Sequence, residues 1–356
     1  MNKTAVEIFE ECGTQTGLVE LFGNQEVQIQ SIASYEKGGI HSLVCSPTTE
    51  ALQQAITNQA SLIIIPKKLT LPSADFLKNN AVITSNNISL SHALIKQKYA
   101  DPTYHPSGWA RVHPSSTIHP SVTLPKDIII GPNVVIEQGV VIGNQTRIMA
   151  NVVIEHHAQI GKGVTIHPGT IIGWNCIIGD QCLILSNSVI GSEGFGYAQD
   201  QYFNHHRIPQ TGNVVLGNRV TIGALNTIDR GTYEAATIGD GCIFDNQCHV
   251  AHNVTMGNNC IILSGFLCAG SCKIGNRVVA SGGAMIKDHI TICDDVYLMH
   301  RAGVITDIKQ PGMYAGSPVL PLSDYVKSNA IYADLGALRQ TVKTLQRRIN
   351  ELRIEN

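Results

Sequence analysis

Residues 244–259, FDNQCHVAHNVTMGNN, crowd Asp245, Asn246, Gln247, His249, His252 and Asn253 into one short window. An imidazole beside a carboxylate equips a chain for general-base catalysis, because the acid fixes the ring's tautomer and supports its positive form. His252, between Ala251 and Asn253, is the candidate base, and Asp245, seven residues earlier, is its candidate partner. A histidine at a turn is as readily structural, and spacing alone does not tell whether the two side chains meet. Zinc also takes neutral imidazoles, and His249, His252 and His289 are the candidates. A zinc site needs its full ligand set. No third ligand has convincing spacing, so no metal is expected.

The elements that must position these residues follow from a fixed short period. From Val112 through Ile130, Ile148, Ile166 and Ile184 to Ile190, every sixth residue is aliphatic. Such a period marks a solenoid. With Ile or Val at the first place and Gly often second, it fits a left-handed parallel β-helix in which three hexads close one triangular coil. Coils then stack about 4.8 Å apart, the ordinary inter-strand spacing. The period stops after Ile190 and resumes at Leu216, Ile222 and Ile228. A four-residue insertion within DRGTYEAAT delays the next hexad to Ile238, after which the array runs through Phe244, Val250 and Cys268 to Val304. A solenoid keeps its core in register, so both insertions must leave as outside loops, where function often lies.

Three regions result. Residues 1–105 lack hexads and mix helical stretches (TAVEIFEEC, SHALIKQKYA) with strand-like ones (SLIIIP, AVITS), which predicts a small α/β domain. Residues 106–310 form the solenoid. Residues 311–356 turn helical: Leu335, Leu338, Val342, Leu345, Ile349 and Leu352 make a heptad seam that needs partner helices, as a trimer would supply. Another face of that helix carries Arg339, Lys343, Arg347 and Arg348, either simply solvated or a docking surface for an acidic protein. A net charge of −2 gives no global case for nucleic acid or a membrane surface, and no run of about 20 apolar residues argues for a membrane span. The amino-terminal stretch MNKTAVEIFEECG has acids inside its apolar part, unlike a secretory signal. Six of the cysteines (Cys176, Cys182, Cys242, Cys248, Cys260 and Cys272) fall at the fifth place of a hexad and read as small buried hydrophobes, which fits reduced thiols and a cytoplasmic protein.

Several stretches carry a family resemblance: GSEGFGYA (191–198), RIPQTGNVVLG (207–217), TIDRGTYEAATIGDGCIFDNQCHVAHNV (227–254), CAGSCKIG (268–275), KDHITIC (287–293) and PGMYAGSPV (311–319). The chain closely resembles the UDP-3-O-acylglucosamine N-acyltransferases of lipid A biosynthesis. The resemblance implies transfer of an R-3-hydroxyacyl chain from the phosphopantetheine of acyl carrier protein, with no other cofactor, to the 2-amino group of UDP-3-O-(3-hydroxyacyl)glucosamine. It implies a homotrimer in the cytoplasm of a Gram-negative bacterium. It assigns His252 as general base, Asp245 as its orienting acid, and the Gly270 amide as donor to the oxyanion. It gives His289 a role in binding the donor or substrate, unless it is a solvated turn residue, and Asn246 of the polar window is a further candidate for substrate binding. Phe195 and Tyr197, in the glycine-rich GFGYA loop, are expected either against sugar or acyl chain or packing the loop on the solenoid.

The chain departs from the family's pattern twice. The family's nucleotide-binding segment carries an aromatic, an Asn and a Tyr (F-x-x-N-x-x-Y), whereas the corresponding SLVCSPTTEAL, residues 42–52, has none of them. In LMHRAGVIT, residues 298–306, Ala302 and Gly303 are small where the family lines its acyl pocket, which implies a deeper pocket with Gly303 on its wall. Two other readings remain: O-acyl transfer to a related UDP-sugar, and a trimeric paralogue without activity.

Overall fold

The computed structural model describes residues 1–101, 111–316 and 322–354. The chain divides into two units, residues 1–104 and 105–356. The linker DPTYHPSGW and the end of PGMYAGSPV lie largely outside the described residues.

The first unit is a five-stranded sheet in the order Leu18–Gly23, Ala81–Ser85, Leu62–Pro66, Ser42–Cys45 and Ser31–Ala33. All pairings are parallel except that of the Leu18–Gly23 edge. The apolar runs at 62–65 and 81–83 are continuous, not alternating, because those strands are covered on both faces. One covering cluster holds Ile8, Leu43, Ile64 and Ile95, the other Val44, Ala55, Ile63 and Val82. The helices start where the sequence supplies a side-chain acceptor. Thr4 forms a capping box with Glu7, and Thr48, Ser73 and Asn87 cap the later helices.

In the second unit most strands are two residues long and stack into three parallel sheets of ten, eight and ten strands. The register Ile136↔Ile154↔Ile172↔Ile190 advances 18 residues per coil. The six-residue ladder is the core: Ile130, Ile148, Ile166, Ile184, Ile222 and Phe244 point inward and are buried. The insertions leave that core in register. Ile190 pairs with Ile228 across the first, Ile228 with Val250 across the second, and the 18-residue step returns at Val250↔Cys268. The six fifth-place cysteines are buried free thiols. Burial pushes Cys182 up to about 11, partly offset by the nearby Val220 amide.

Each corner needs a residue in the left-handed region to turn the chain to the next face. Asn fills it at 133, 151, 175, 187, 253 and 259, with Gln, Arg, His or Gly at others. Asn tolerates positive φ better than most residues. Asn253 (φ 60°) is the corner that follows His252, so the candidate base stands where a strand ends and the chain bends away.

After the coil, the helix Leu322–Ile354 exposes Leu335, Leu338, Val342, Leu345 and Ile349 along one seam. The Leu352 side chain lies outside the described residues. No helix among the described residues is long and apolar enough to cross a membrane.

Candidate active site

His252 and Gly270 come together because they occupy the same corner on successive coils. The Ser271 amide donates to the His252 carbonyl at 2.9 Å, and the His289 amide donates to the Gly270 carbonyl at 3.0 Å. His289 thus stands one coil further along that corner, with its side chain exposed. The corner borders a cleft of about 670 Å³ whose wall includes Phe195, Asp229, His249, His252, Gly270, Leu267, Met285 and Gly303.

Two glycines hold the His252 ring. A Cβ at Gly270 would lie 2.7 Å from His252 Cε1 and 2.8 Å from Nε2, and one at Gly194 would lie 2.6 Å from His252 Cβ. Only hydrogen at both positions lets the imidazole occupy this slot. Gly194 belongs to the first insertion, so the glycine-rich loop folds back over the corner. His252 Nδ1 is buried and without a hydrogen bond among the described residues. A buried ring nitrogen left so costs about 1–3 kcal/mol, and such a group in a native fold calls for an explanation. The Gly270 amide donates no backbone hydrogen bond among the described residues. An unspent N–H beside an imidazole is the arrangement that an oxyanion uses.

The structure does not bring Asp245 to His252 within the chain. They stand at the two ends of the strand His249–Val250, at different corners of one coil, and Asp245 is absent from the cleft wall. The carboxylate that does share the cleft with His252 is Asp229, in the IDRG segment. It is 7% exposed. The Ser192 hydroxyl donates to its Oδ1 at 2.5 Å, and His249 Nε2 lies 3.8 Å from its Oδ2. Burial pushes the Asp229 carboxyl above its ordinary value, against the Ser192 hydroxyl and the positive fields of His249 and His252. Asp229 is buried in part because its neighbour Arg230 is a staple. The Arg230 guanidinium donates to the carbonyls of Gly191 (2.9 Å), Gly212 (3.0 Å) and Trp174 (3.3 Å) and stacks on the Trp174 ring at 3.8 Å. It ties both ends of the first insertion to the coil, and its buried charge is met by carbonyls and a ring face in place of a carboxylate.

The other predicted residues divide. Phe195 lines the cleft, 81% exposed, with the Tyr197 ring 5.1 Å away but outside the wall. Gly303 lines the far end, with nothing within 4 Å of an added Cβ. Asn246 does not reach the cleft: its Oδ1 accepts from the Ala224 amide at 2.7 Å and serves a corner ladder. Arg339, Lys343, Arg347 and Arg348 are all exposed on the carboxy-terminal helix, where Arg347 pairs with Glu351 at 2.9 Å. In the first unit, Cys45 and Pro47 of the 42–52 stretch line a cavity of about 350 Å³, and its aromatic wall comes from Tyr35, outside that stretch.

A corner histidine held against a free amide, on a coil of hexapeptide repeats, defines a hexapeptide-repeat acyltransferase built on a left-handed parallel β-helix. The bacterial transferase hexapeptide model (six repeats) matches residues 235–265, and a model of the GMPPB C-terminal domain matches residues 112–195. The UDP-3-O-acylglucosamine N-acyltransferase of Methylococcus capsulatus is 47% identical over 272 residues, 76% of this chain and 77% of that one. The chain belongs to the UDP-3-O-acylglucosamine N-acyltransferase family. Similar solved structures include a UDP-N-acetylglucosamine acyltransferase from Francisella novicida (17% identity, TM-score 0.46, 61% of this chain and 73% of that chain). Another is a UDP-N-acetylglucosamine O-acyltransferase from Moraxella catarrhalis (23% identity, TM-score 0.45, 59% and 72%).

Proposed function

We propose that the protein transfers an R-3-hydroxyacyl chain from acyl carrier protein to the 2-amino group of UDP-3-O-(3-hydroxyacyl)glucosamine, a step of lipid A biosynthesis. The observation that carries the reading is the glycine-walled slot that holds His252 beside the free Gly270 amide in an apolar cleft. The sugar amine attacks the thioester carbonyl while His252 takes its proton. The carbonyl oxygen becomes an oxyanion and accepts from the Gly270 N–H, a contact worth roughly 3–4 kcal/mol in comparable sites. The carbon–sulfur bond then breaks. The carrier thiolate leaves with the proton that His252 holds, and the amide remains on the sugar. Asp229 supports the imidazolium through its field.

The acyl chain runs along Leu267, Met285 and Gly303, which stand in register on successive coils. Phe195 borders the cleft, and His289 stands one coil beyond Gly270 at the same corner. Arg339, Lys343, Arg347 and Arg348 offer the acidic carrier a basic face, and the exposed helix seam is closed by trimer formation.

The test is amide formation, followed by mass spectrometry, with the hydroxyacyl carrier protein and the UDP-3-O-acyl sugar, comparing wild type with His252→Ala. Diacyl product from wild type and a loss of about 10²-fold or more in the variant are expected. Wild-type turnover that survives the substitution removes His252 as base, and no product with any chain length removes the reaction.

A further inference from the structure

The cleft is apolar along most of its length, and its polar cluster holds one residue, His249, that the transfer chemistry does not use. Leu267, Met285, Val304 and Ile305 line one stretch, and among the described residues Lys287 is the only other charged residue on the wall beside the cluster of Asp229, His249 and His252. His252 is assigned to the amine proton; His249 is not. It opens the strand that ends before the His252 corner, three residues earlier, and its side chain points out of the coil in the row that continues through Leu267 and Met285 to Gly303. His249 is therefore the polar head of an otherwise apolar row, at the end where the carbonyl reacts.

Its ring is held in a specific way. Nδ1 is hydrogen-bonded to the Thr227 hydroxyl at 2.7 Å, which leaves Nε2 as the free polar atom. Nε2 faces Asp229 Oδ2 across 3.8 Å, beyond hydrogen-bond reach. The other carboxylate oxygen is occupied by Ser192. With the Thr227 hydroxyl donating to Nδ1 and the ring proton on Nε2, a donor and an acceptor stand at a separation that one hydroxyl group bridges, accepting from Nε2–H and donating to Oδ2.

We infer that His249 and Asp229 form a receptor for a hydroxyl group on the acyl chain close to the reacting carbonyl, and that His249 is a specificity-determining residue. The inference rests on the acyl-transfer reading above. The acyl chain, and not the sugar, is the source because the pair heads the apolar row that takes the chain.

The experiment compares kcat/KM for a 3-hydroxyacyl carrier protein with that for the matching chain without the hydroxyl, in wild type, His249→Phe and His249→Gln. Because His249 is part exposed, the wild-type preference is expected at about 10- to 100-fold, the worth of one hydrogen bond to a charged group. His249→Phe is expected to bring the ratio to within about threefold of one, and His249→Gln, which retains an N–H donor, to restore most of it. A generally loosened site slows both donors and leaves the ratio standing, so a ratio unchanged in His249→Phe overturns the inference. So does a wild-type ratio near one with ample product, or a His249-dependent preference that follows a 4-deoxy sugar acceptor and not the donor. Absence of product from wild type with either donor is a different result: it overturns the acyltransferase reading, and the hydroxyl receptor with it.

Discussion

Replacing Gly270 by Ala adds one methyl group to the protein, and the structure says where that methyl goes. The added carbon would stand 2.7 Å from His252 Cε1, 2.8 Å from Nε2 and 3.1 Å from Nδ1. Non-bonded carbons rest at about 3.5–4.0 Å, so the ring carbon must withdraw by roughly 0.8–1.3 Å. It cannot move straight back, because its Cβ backs on Gly194, where any Cβ would stand at 2.6 Å. The imidazole therefore has to rotate or slide along the cleft. Gly270 is not among the residues at positive φ, so Ala introduces no backbone strain, and it keeps the N–H assigned to the oxyanion. The substitution moves the base and leaves the other parts in place. A misplacement of about 1 Å costs on the order of 10²-fold, equivalent to about 2.7 kcal/mol of barrier. We expect kcat to fall by that factor, KM for both substrates to change little, and the thermal midpoint to stay within a few degrees of wild type. The assay is initial-rate amide formation with each substrate varied in turn, beside a melting curve. Gly194→Ala is expected to act in the same direction, and the double variant to lose less than the product of the two, since both displace one ring. A Gly270→Ala enzyme within about threefold of wild type, while His252→Ala is inactive, refutes the argument that this slot sets the position of the base.

Two further outcomes follow from the same cleft. Asp229→Asn removes a carboxyl whose burial raises its pKa; a raised carboxyl is destabilising while ionised, so the cost is present above the folded pKa and vanishes as pH falls below the unfolded value near 3.8. The Asn variant should therefore melt at or above wild type at pH 7.5, with the difference shrinking towards pH 4, yet turn over about 10-fold or more slowly for want of the negative field; a variant less stable at neutral pH contradicts this. Gly303→Met places a side chain in space that is empty within 4 Å, and competition between carrier proteins loaded with longer and shorter chains should shift about 10-fold or more towards the shorter, whereas an unchanged preference removes Gly303 from the acyl wall.

The six-residue period made the inward ladder legible as far as Val304, because a core of one residue type per strand leaves the same trace in every coil. The insertion points were legible for the same reason. The carboxylate that shares the cleft with His252 was not. Reading along the chain pairs His252 with the acid seven residues before it, but a β-helix makes neighbours of residues one coil apart, and each coil here takes 18 residues, or more where a loop intervenes. Gly270 is found by that step from His252. Asp229 is not, since the second insertion lengthens the step: Ile228 pairs with Val250, which sets Asp229 beside the strand of His249 only after the four extra residues are counted. Asn246 misled in the opposite sense. Its place in a polar window pointed to substrate, whereas the amide of Ala224 already claims its oxygen.

The same accounting explains why His249 drew attention as a metal candidate and not as a binding group. On the sequence it follows a buried cysteine and precedes a buried valine, so nothing marks its side chain as facing a cleft. The strand's alternation does so: Cys248 and Val250 fill the core, so His249 must point outward, and the coil register lays it over Leu267 and Met285. A residue that has to be outside, in a row that is otherwise apolar, with one nitrogen held by a threonine, is positioned by every level of the fold from strand pleat to coil stack. Removing that polarity should change which chain is accepted before it changes how fast the bond is made.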